Sequence, residues 1–207
     1  MKRRDFAGFA ILAGSGFALP AAAEFSPRQA RRSVGELIET NRSPVAGGIG
    51  PVTLVEFFDY QCPSCKATEP HLRAALAAAP TVRVIYKEFP NLGSLSTAAA
   101  RLALAAGKQG RYEAVHRALF DWPDRLTRDR LFEIAAAQGV TVDRLKADME
   151  GDDVRREIAA TAKLAGRLGI EGTPIFLIHG PAGSDAVAGG LRGADFLEKF
   201  TGAAAVR

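Results

Sequence analysis

The 207-residue chain has two cysteines, set three apart in Phe57-Phe58-Asp59-Tyr60-Gln61-Cys62-Pro63-Ser64-Cys65-Lys66. A Cys-x-x-Cys pair placed where an apolar run gives way to a helical pattern points to sulfur chemistry: one thiol becomes a good nucleophile and the second stays within reach. A thiol with the ordinary pKa of about 8.5 is mostly protonated at neutral pH, so exchange requires a stabilised thiolate. Cys62 falls at the predicted helix N-terminus, where unpaired N–H groups and the helix dipole favour an anion. Cys65, one turn further in, is expected to be more buried and to act as the resolving thiol. Pro63 suits a first helical turn, where its missing N–H costs nothing. A structural staple is the competing reading. So short a loop removes little entropy from the unfolded chain, roughly 2 kcal/mol at best against about 3 kcal/mol for a 15-residue loop.

The pattern around the pair supplies the elements that must hold it. Residues 52–58, rich in β-branched and aromatic side chains, predict a buried strand. A helix follows over 63–79, kinked at Pro70, and a second strand over 81–89. Two strands separated by a helix are expected to pair in parallel. Residues 95–168 read as helical, with breaks near 107–110, 121–127, 139–141 and 151–152 that fit four or five helices. Within them the alanine-rich run 98–106 is expected to be close helix packing. Strands at 175–178 and 185–188 and a helix over 194–201 complete the order. Upstream, Ser26-Pro27-Arg28-Gln29 opens an amphipathic helix reaching about Thr40, and the glycine-rich 43–51 reads as a linker.

Residues 1–23 read as a leader. Lys2, Arg3 and Arg4 precede an uncharged stretch, and Ala21-Ala22-Ala23 offers small residues for cleavage after Ala23. The stretch is short and glycine-rich for a membrane span. Arg3-Arg4-Asp5-Phe6 resembles a twin-arginine signal, and the general secretory route is the alternative. Loss of the leader removes three basic residues and one acid, which lowers the net charge from +4 to +2 and argues against nucleic acid as a partner. With 47% hydrophobic and 24% charged residues, the remainder reads as a soluble globular domain. Outside the cytosol, a nearby cysteine pair is oxidised unless something reduces it.

These residues resemble the exported thiol:disulfide oxidoreductases of the DsbA-like group, over roughly residues 51–201. The likeness rests on Val55-Glu56-Phe57-Phe58-Asp59-Tyr60-Gln61-Cys62-Pro63-Ser64-Cys65, on Lys87-Glu88-Phe89-Pro90-Asn91-Leu92-Gly93, and on Gly169-Ile170-Glu171-Gly172-Thr173-Pro174. It implies an α/β, thioredoxin-like fold over 51–207 with an inserted α-helical subdomain at about 95–168, preceded by a helix and linker over 24–50. It implies a redox-active Cys62–Cys65 disulfide and a cis Pro174 facing the pair, with the Thr173 backbone open to an extended substrate peptide. Glu56 matches the buried acid that moves protons to and from the resolving cysteine, with Lys87 as its charge partner. The plainer alternative for Glu56 is a surface acid on an edge strand.

Two positions depart from the strongly oxidising members. Ser64 stands where they carry histidine before the second cysteine, and Thr173 where they carry valine; Pro63 and Ser64 are thus the tuning positions. Loss of a cationic neighbour predicts a less stabilised thiolate and a less oxidising disulfide. The resemblance implies a periplasmic monomer that needs no cofactor and acts on exported cysteine-containing proteins. As an oxidase it would be reoxidised by a membrane redox partner, and as a reductase or isomerase it would be kept reduced by one. The reading from another class is metal binding by Cys62 and Cys65. His71, six residues beyond Cys65, is off the face of that pair, and His116 and His179 fall in separate elements, so no metal site is expected.

Overall fold

The structure is a computed structural model that describes Val34 and residues 43–205. The expected leader lies outside the described residues, as does the expected N-terminal helix apart from Val34, which is helical and fully buried. In chain order the elements are β1 (Val45–Gly47), β2 (Thr53–Phe58), α1 (Pro63–Ala78), β3 (Arg83–Glu88) and α2 (Ser94–Gly107). They continue with α3 (Tyr112–Asp121), α4 (Arg128–Ala137), α5 (Val142–Met149) and α6 (Asp152–Leu168). The chain closes with β4 (Ile175–Gly180), β5 (Gly183–Ala188) and α7 (Gly193–Ala204).

The sheet order is β1-β3-β2-β4-β5, with β2 at the centre. β2 pairs in parallel with β3 and antiparallel with β4, and the two edge pairings are antiparallel. Every residue of β2 is buried, because both faces of the sheet are covered. Leu54 and Phe58 pack in the cluster that holds Cys65 and Leu72 of α1, Leu119 of α3 and Phe196 of α7. Val55 and Phe57 point the other way, into a cluster with Ala165 and Leu168 of α6 and Val34. Each such side chain, fully withdrawn from water, contributes about 1.5–3 kcal/mol. This is a thioredoxin-like fold in which five helices, α2–α6, stand between β3 and β4.

Within that helical block α2 is the centre. Its alanines at 99, 100, 103, 105 and 106 are all buried, and small side chains let neighbouring helices approach closely. The glycine and aspartate breaks fall where the sequence puts them. Gly169 ends α6 in the left-handed conformation at φ 67°; glycine adopts it without the Cβ penalty. The chain then turns through Glu171 and Gly172 toward Thr173, so this cap aims the loop that faces the cysteines.

Two readings change. The expected linker over 43–51 contains β1, with Val45 opposite Ile85 on the β3 edge. Its glycines serve contact: a Cβ at Gly48 would stand 2.4 Å from the Pro80 carbonyl oxygen. Pro70 lies inside α1, as the sequence places it, on the exposed side of a helix that runs through it to Ala78. Lys87 is not the partner of Glu56. Glu56 lies opposite Tyr86 in the β2–β3 register, and Lys87 opposite Phe57. Alternation sends Lys87 to the other face, where Nζ donates to Ser43 Oγ at 2.6 Å and Glu157 is the opposing charge nearby.

Candidate active site at the head of α1

Cys62 is the N-cap of α1, in extended backbone at φ −71° and ψ 117°, and Pro63 takes the first helical position. The turn before it is fastened by Asp59, which is 2% exposed. Its carbonyl accepts from Cys62 N at 3.0 Å, Oδ1 accepts from Gln61 N at 2.7 Å, and Oδ2 accepts from Leu92 N at 3.0 Å. The Gln61 side chain donates to Ser96 Oγ at 3.1 Å. The cysteine turn is therefore tied to the loop entering α2, and the sheet alone does not set its position. Sequence reasoning passed over Asp59. An aspartate two residues before an amide it can turn back on, directly after a strand, is the local signal.

The two sulfurs differ sharply. Cys62 is 6% exposed and Cys65 1%, and both are free thiols in the structure. Cys62 Sγ accepts from Cys65 N at 3.3 Å and lies 3.3 Å from the Thr173 carbonyl oxygen. The Cys62 thiol is lowered from 9.0 to about 6, first by the hydrogen bond with the Cys65 thiol and against burial. The Thr173 side chain and the Cys65 and Ser64 amides add to the lowering. Cys65 moves the opposite way, raised by its hydrogen bond to Cys62 and by burial. Cys62 is the thiolate at neutral pH, and Cys65 holds the proton that steadies it. Pro63 and Ser64 are exposed on the first turn, and the Thr173–Pro174 peptide bond is cis.

Thr173 thereby acquires a role beyond its backbone. Thr173→Val removes a hydroxyl that favours the thiolate, so the Cys62 pKa is expected to rise above about 6. Titration of the thiolate absorbance checks this; an unchanged or lower value would remove Thr173 from the account.

Beneath the pair the structure gathers polar groups that the sequence leaves scattered. Glu56 is 1% exposed on the central strand, which excludes the edge-strand alternative. Burial, then the charges of Glu69 and Glu88, push its carboxyl well above the usual range. Tyr60 from the turn donates to Glu88 Oε1 at 2.9 Å, and Tyr112 of α3 donates to the same oxygen at 2.8 Å. The Tyr60 oxygen also lies 3.0 Å from His116 Nδ1. His116 is fully buried among Phe58, Tyr86 and Phe120, and burial, with Arg117 and Arg73, lowers it to about 3. The other histidines are elsewhere: His71 is exposed on α1, and His179 of β4 meets Ser184 of β5. Among the described residues no three His, Cys, Asp or Glu side chains group to hold a metal ion.

Residues 53–203 match the family model described as DSBA-like thioredoxin domain. Na(+)/H(+) antiporter NhaA 3 of Salinispora tropica is 28% identical over 151 residues, 70% of this chain. The chain spans only 23% of that protein's length, and only 20% of a second NhaA antiporter, from Salinispora arenicola. The thiol:disulfide interchange protein DsbA of Azotobacter vinelandii is 30% identical, covering 91% of this chain and 93% of its own. Among solved structures, a thioredoxin-like oxidoreductase from Silicibacter pomeroyi superposes with a TM-score of 0.74 at 37% identity, over 79% of this chain and 92% of that one. A periplasmic thioredoxin-like protein from Salmonella enterica serovar Typhimurium gives 0.68 at 27% identity, over 81% and 97%. The match begins on the strand that leads into the cysteine turn and ends on α7, and the chain accordingly belongs to the DSBA-like thioredoxin domain family.

Proposed function

We propose that this chain is exported to the periplasm and forms disulfides in other exported proteins by exchange with its own Cys62–Cys65 disulfide. A substrate thiolate attacks Cys62, the Cys62–Cys65 bond breaks, and Cys65 leaves as a thiolate that takes a proton. A second substrate thiolate then attacks the substrate sulfur of the mixed disulfide, and Cys62 leaves. The observation that carries this direction is the asymmetry of the sulfurs, with Cys62 held at about 6. A stabilised leaving thiolate favours the reduced enzyme, which makes the disulfide an oxidant.

The remaining assignments follow the family resemblance. Thr173 and Pro174 present backbone to an extended substrate, Glu56 moves protons for Cys65, and Ser64 sets the potential with Pro63. The chain works as a monomer, and a membrane redox partner reoxidises it. Export is supported by the basic start and small-residue cleavage site of residues 1–23 and by the periplasmic relative.

Equilibration with glutathione buffers tests the direction. An oxidase is expected between the potentials typical of strong oxidants and of isomerases, about −120 to −180 mV, whereas a value near the −270 mV of thioredoxin would replace it with a reductase. Ser64→His adds a cationic neighbour and is expected to raise the potential by about 30 mV, a tenfold change in equilibrium. A shift to a less oxidising potential would overturn the electrostatic account of Ser64.

A further inference from the structure

The ladder between β2 and β4 ends at Phe57 opposite Ile175. Past it, among the described residues, no ladder joins the cysteine turn to the loop that carries Thr173, so their spacing must be set by other contacts. One of these is Cys62 Sγ with the Thr173 carbonyl oxygen at 3.3 Å. A carbonyl can only accept, so this is a hydrogen bond only while the sulfur keeps its proton; a thiolate or a disulfide gives it up. Another contact does not involve sulfur. Asn91, exposed on the loop between β3 and α2, donates from Nδ2 to the Glu171 carbonyl oxygen at 3.1 Å, across a separation of 80 residues.

A single exposed hydrogen bond holds position only when the groups that make it are already ordered, since ordering them costs more than the bond returns. Both ends of this one are ordered. Phe89 N donates to the Phe58 carbonyl at 3.0 Å, which extends the β2–β3 pairing by one step, and Pro90 has its φ fixed by its ring. Leu92 N reaches Asp59 Oδ2 at 3.0 Å, and the Asp59 carbonyl accepts from Cys62 N. Asn91 is therefore one residue from the anchor that also fixes the cysteine. On the facing loop, Ile170 is 3% exposed and its N–H donates to the Ala165 carbonyl at 2.9 Å. Beyond it, Gly189 N donates to the Pro174 carbonyl at 2.9 Å. Glu171, Gly172 and Thr173 lie between these two anchors, and Asn91 grips the first of the three.

We propose that Asn91 is a positioning residue that holds segment 171–174 at the distance from Cys62 at which an extended peptide can lie on Thr173 with its cysteine on Cys62. The inference rests on the reading that Thr173 and Pro174 present backbone to substrate, and it is independent of the direction of exchange. Its consequence is selective. A peptide must pair along its backbone and reach the sulfur in one pose, so it needs the segment in place. A small thiol without amide groups, such as 2-mercaptoethanol, meets the sulfur alone. The chemistry is the same for both: the attacking thiolate bonds Cys62 Sγ, the Cys62–Cys65 bond breaks, and Cys65 leaves as a thiolate that takes a proton from water. Only docking differs, and in the disulfide form the sulfur contact with Thr173 is given up, which leaves Asn91 as the tie.

The test follows reduction of the disulfide form of the full-length protein by three thiols: 2-mercaptoethanol, an extended one-cysteine peptide, and the same peptide N-methylated on the residues flanking its cysteine. Asn91→Ala is expected to slow the plain peptide roughly tenfold, the worth of about one hydrogen bond, and to leave the 2-mercaptoethanol rate within about twofold of the parent. Asn91→Asp keeps the size, loses the donor and should match Asn91→Ala. The parent should prefer the plain peptide over the methylated one, and both variants should lose most of that preference. Equal slowing with peptide and 2-mercaptoethanol, or no slowing with either, overturns the role of Asn91; a parent that still prefers the plain peptide then leaves the reading of Thr173 standing. A parent that reacts equally fast with both peptides removes the docking reading itself, and the inference falls with it. Asn91 is exposed, so both variants should unfold at the parent's temperature. A marked fall would make the bond a structural tie and overturn the proposal as well.

Discussion

Cys62→Ser is expected to abolish thiol–disulfide exchange, by a factor on the order of 10³ or more, while Cys65→Ser still attacks and then stalls as a mixed disulfide. The asymmetry follows from position. Cys62 heads α1, and its sulfur accepts the Cys65 amide at 3.3 Å; Cys65 is one turn deeper at 1% exposure. Serine is itself a good N-cap, so Cys62→Ser should fold with near-parent stability and lose only the nucleophile. Cys65→Ser loses the resolving thiol but keeps a hydroxyl that donates to Cys62 Sγ in its place, so the largest cause of the lowered Cys62 pKa is retained. Its first attack should therefore stay close to the parent rate at neutral pH. Insulin reduction and peptide oxidation measure the rates, and intact-mass spectrometry after exposure to oxidised glutathione detects the adduct. Parent activity in Cys62→Ser, or an adduct on Cys62→Ser and none on Cys65→Ser, would reverse the roles.

The elements that carry the cysteines are legible because their signals are local. The apolar run into Cys62, Pro63 at the helix start and the glycine and aspartate breaks between helices each act within a few residues. Both strands of the parallel pair and all five intervening helices are visible this way. β1 is not, since three residues next to several glycines carry no periodicity; it is a strand only because the β3 edge is there to receive it. Asp59 shows the same limit at the site, for the Leu92 amide it holds is 33 residues away. Glu69 and His116 read as ordinary polar positions on two helices. They become a buried pair only when α1 and α3 close over the same face of β2 and β3. The Lys87 assignment failed for a related reason. A one-residue offset in the β2–β3 register puts neighbouring residues on opposite faces of the sheet.

In its disulfide form the protein is expected to be more stable at pH 5 than at pH 8, contrary to the usual behaviour of acid-rich surfaces. Glu69 is raised from 4.5 to about 7, so between these values the folded chain keeps a proton that the unfolded chain has lost. The stability this contributes is fully present below about 4.5 and is lost as pH rises through 7. A difference of about 2.5 units corresponds to about 3 kcal/mol at 1.36 kcal/mol per unit. Glu56 and Glu88, both raised, act in the same direction. His116 opposes them. Lowered from 6.5 to about 3, it stays neutral in the fold while the unfolded chain protonates below 6.5, so its share of stability falls as the pH drops. One histidine against three acids leaves the optimum on the acid side, near pH 5. The disulfide form matters because a reduced Cys62, lowered from 9.0 to about 6, adds stability as pH rises between those values and would mask the carboxyls. Thermal unfolding across pH measures the trend. Glu69→Gln should be more stable than the parent at pH 8, by up to about 3 kcal/mol, and lose that advantage by pH 4. A parent equally stable at pH 8 and pH 5, or a Glu69→Gln variant weaker than the parent at pH 8, would mean that Glu69 is ionised in the fold and that Arg73 is its true partner.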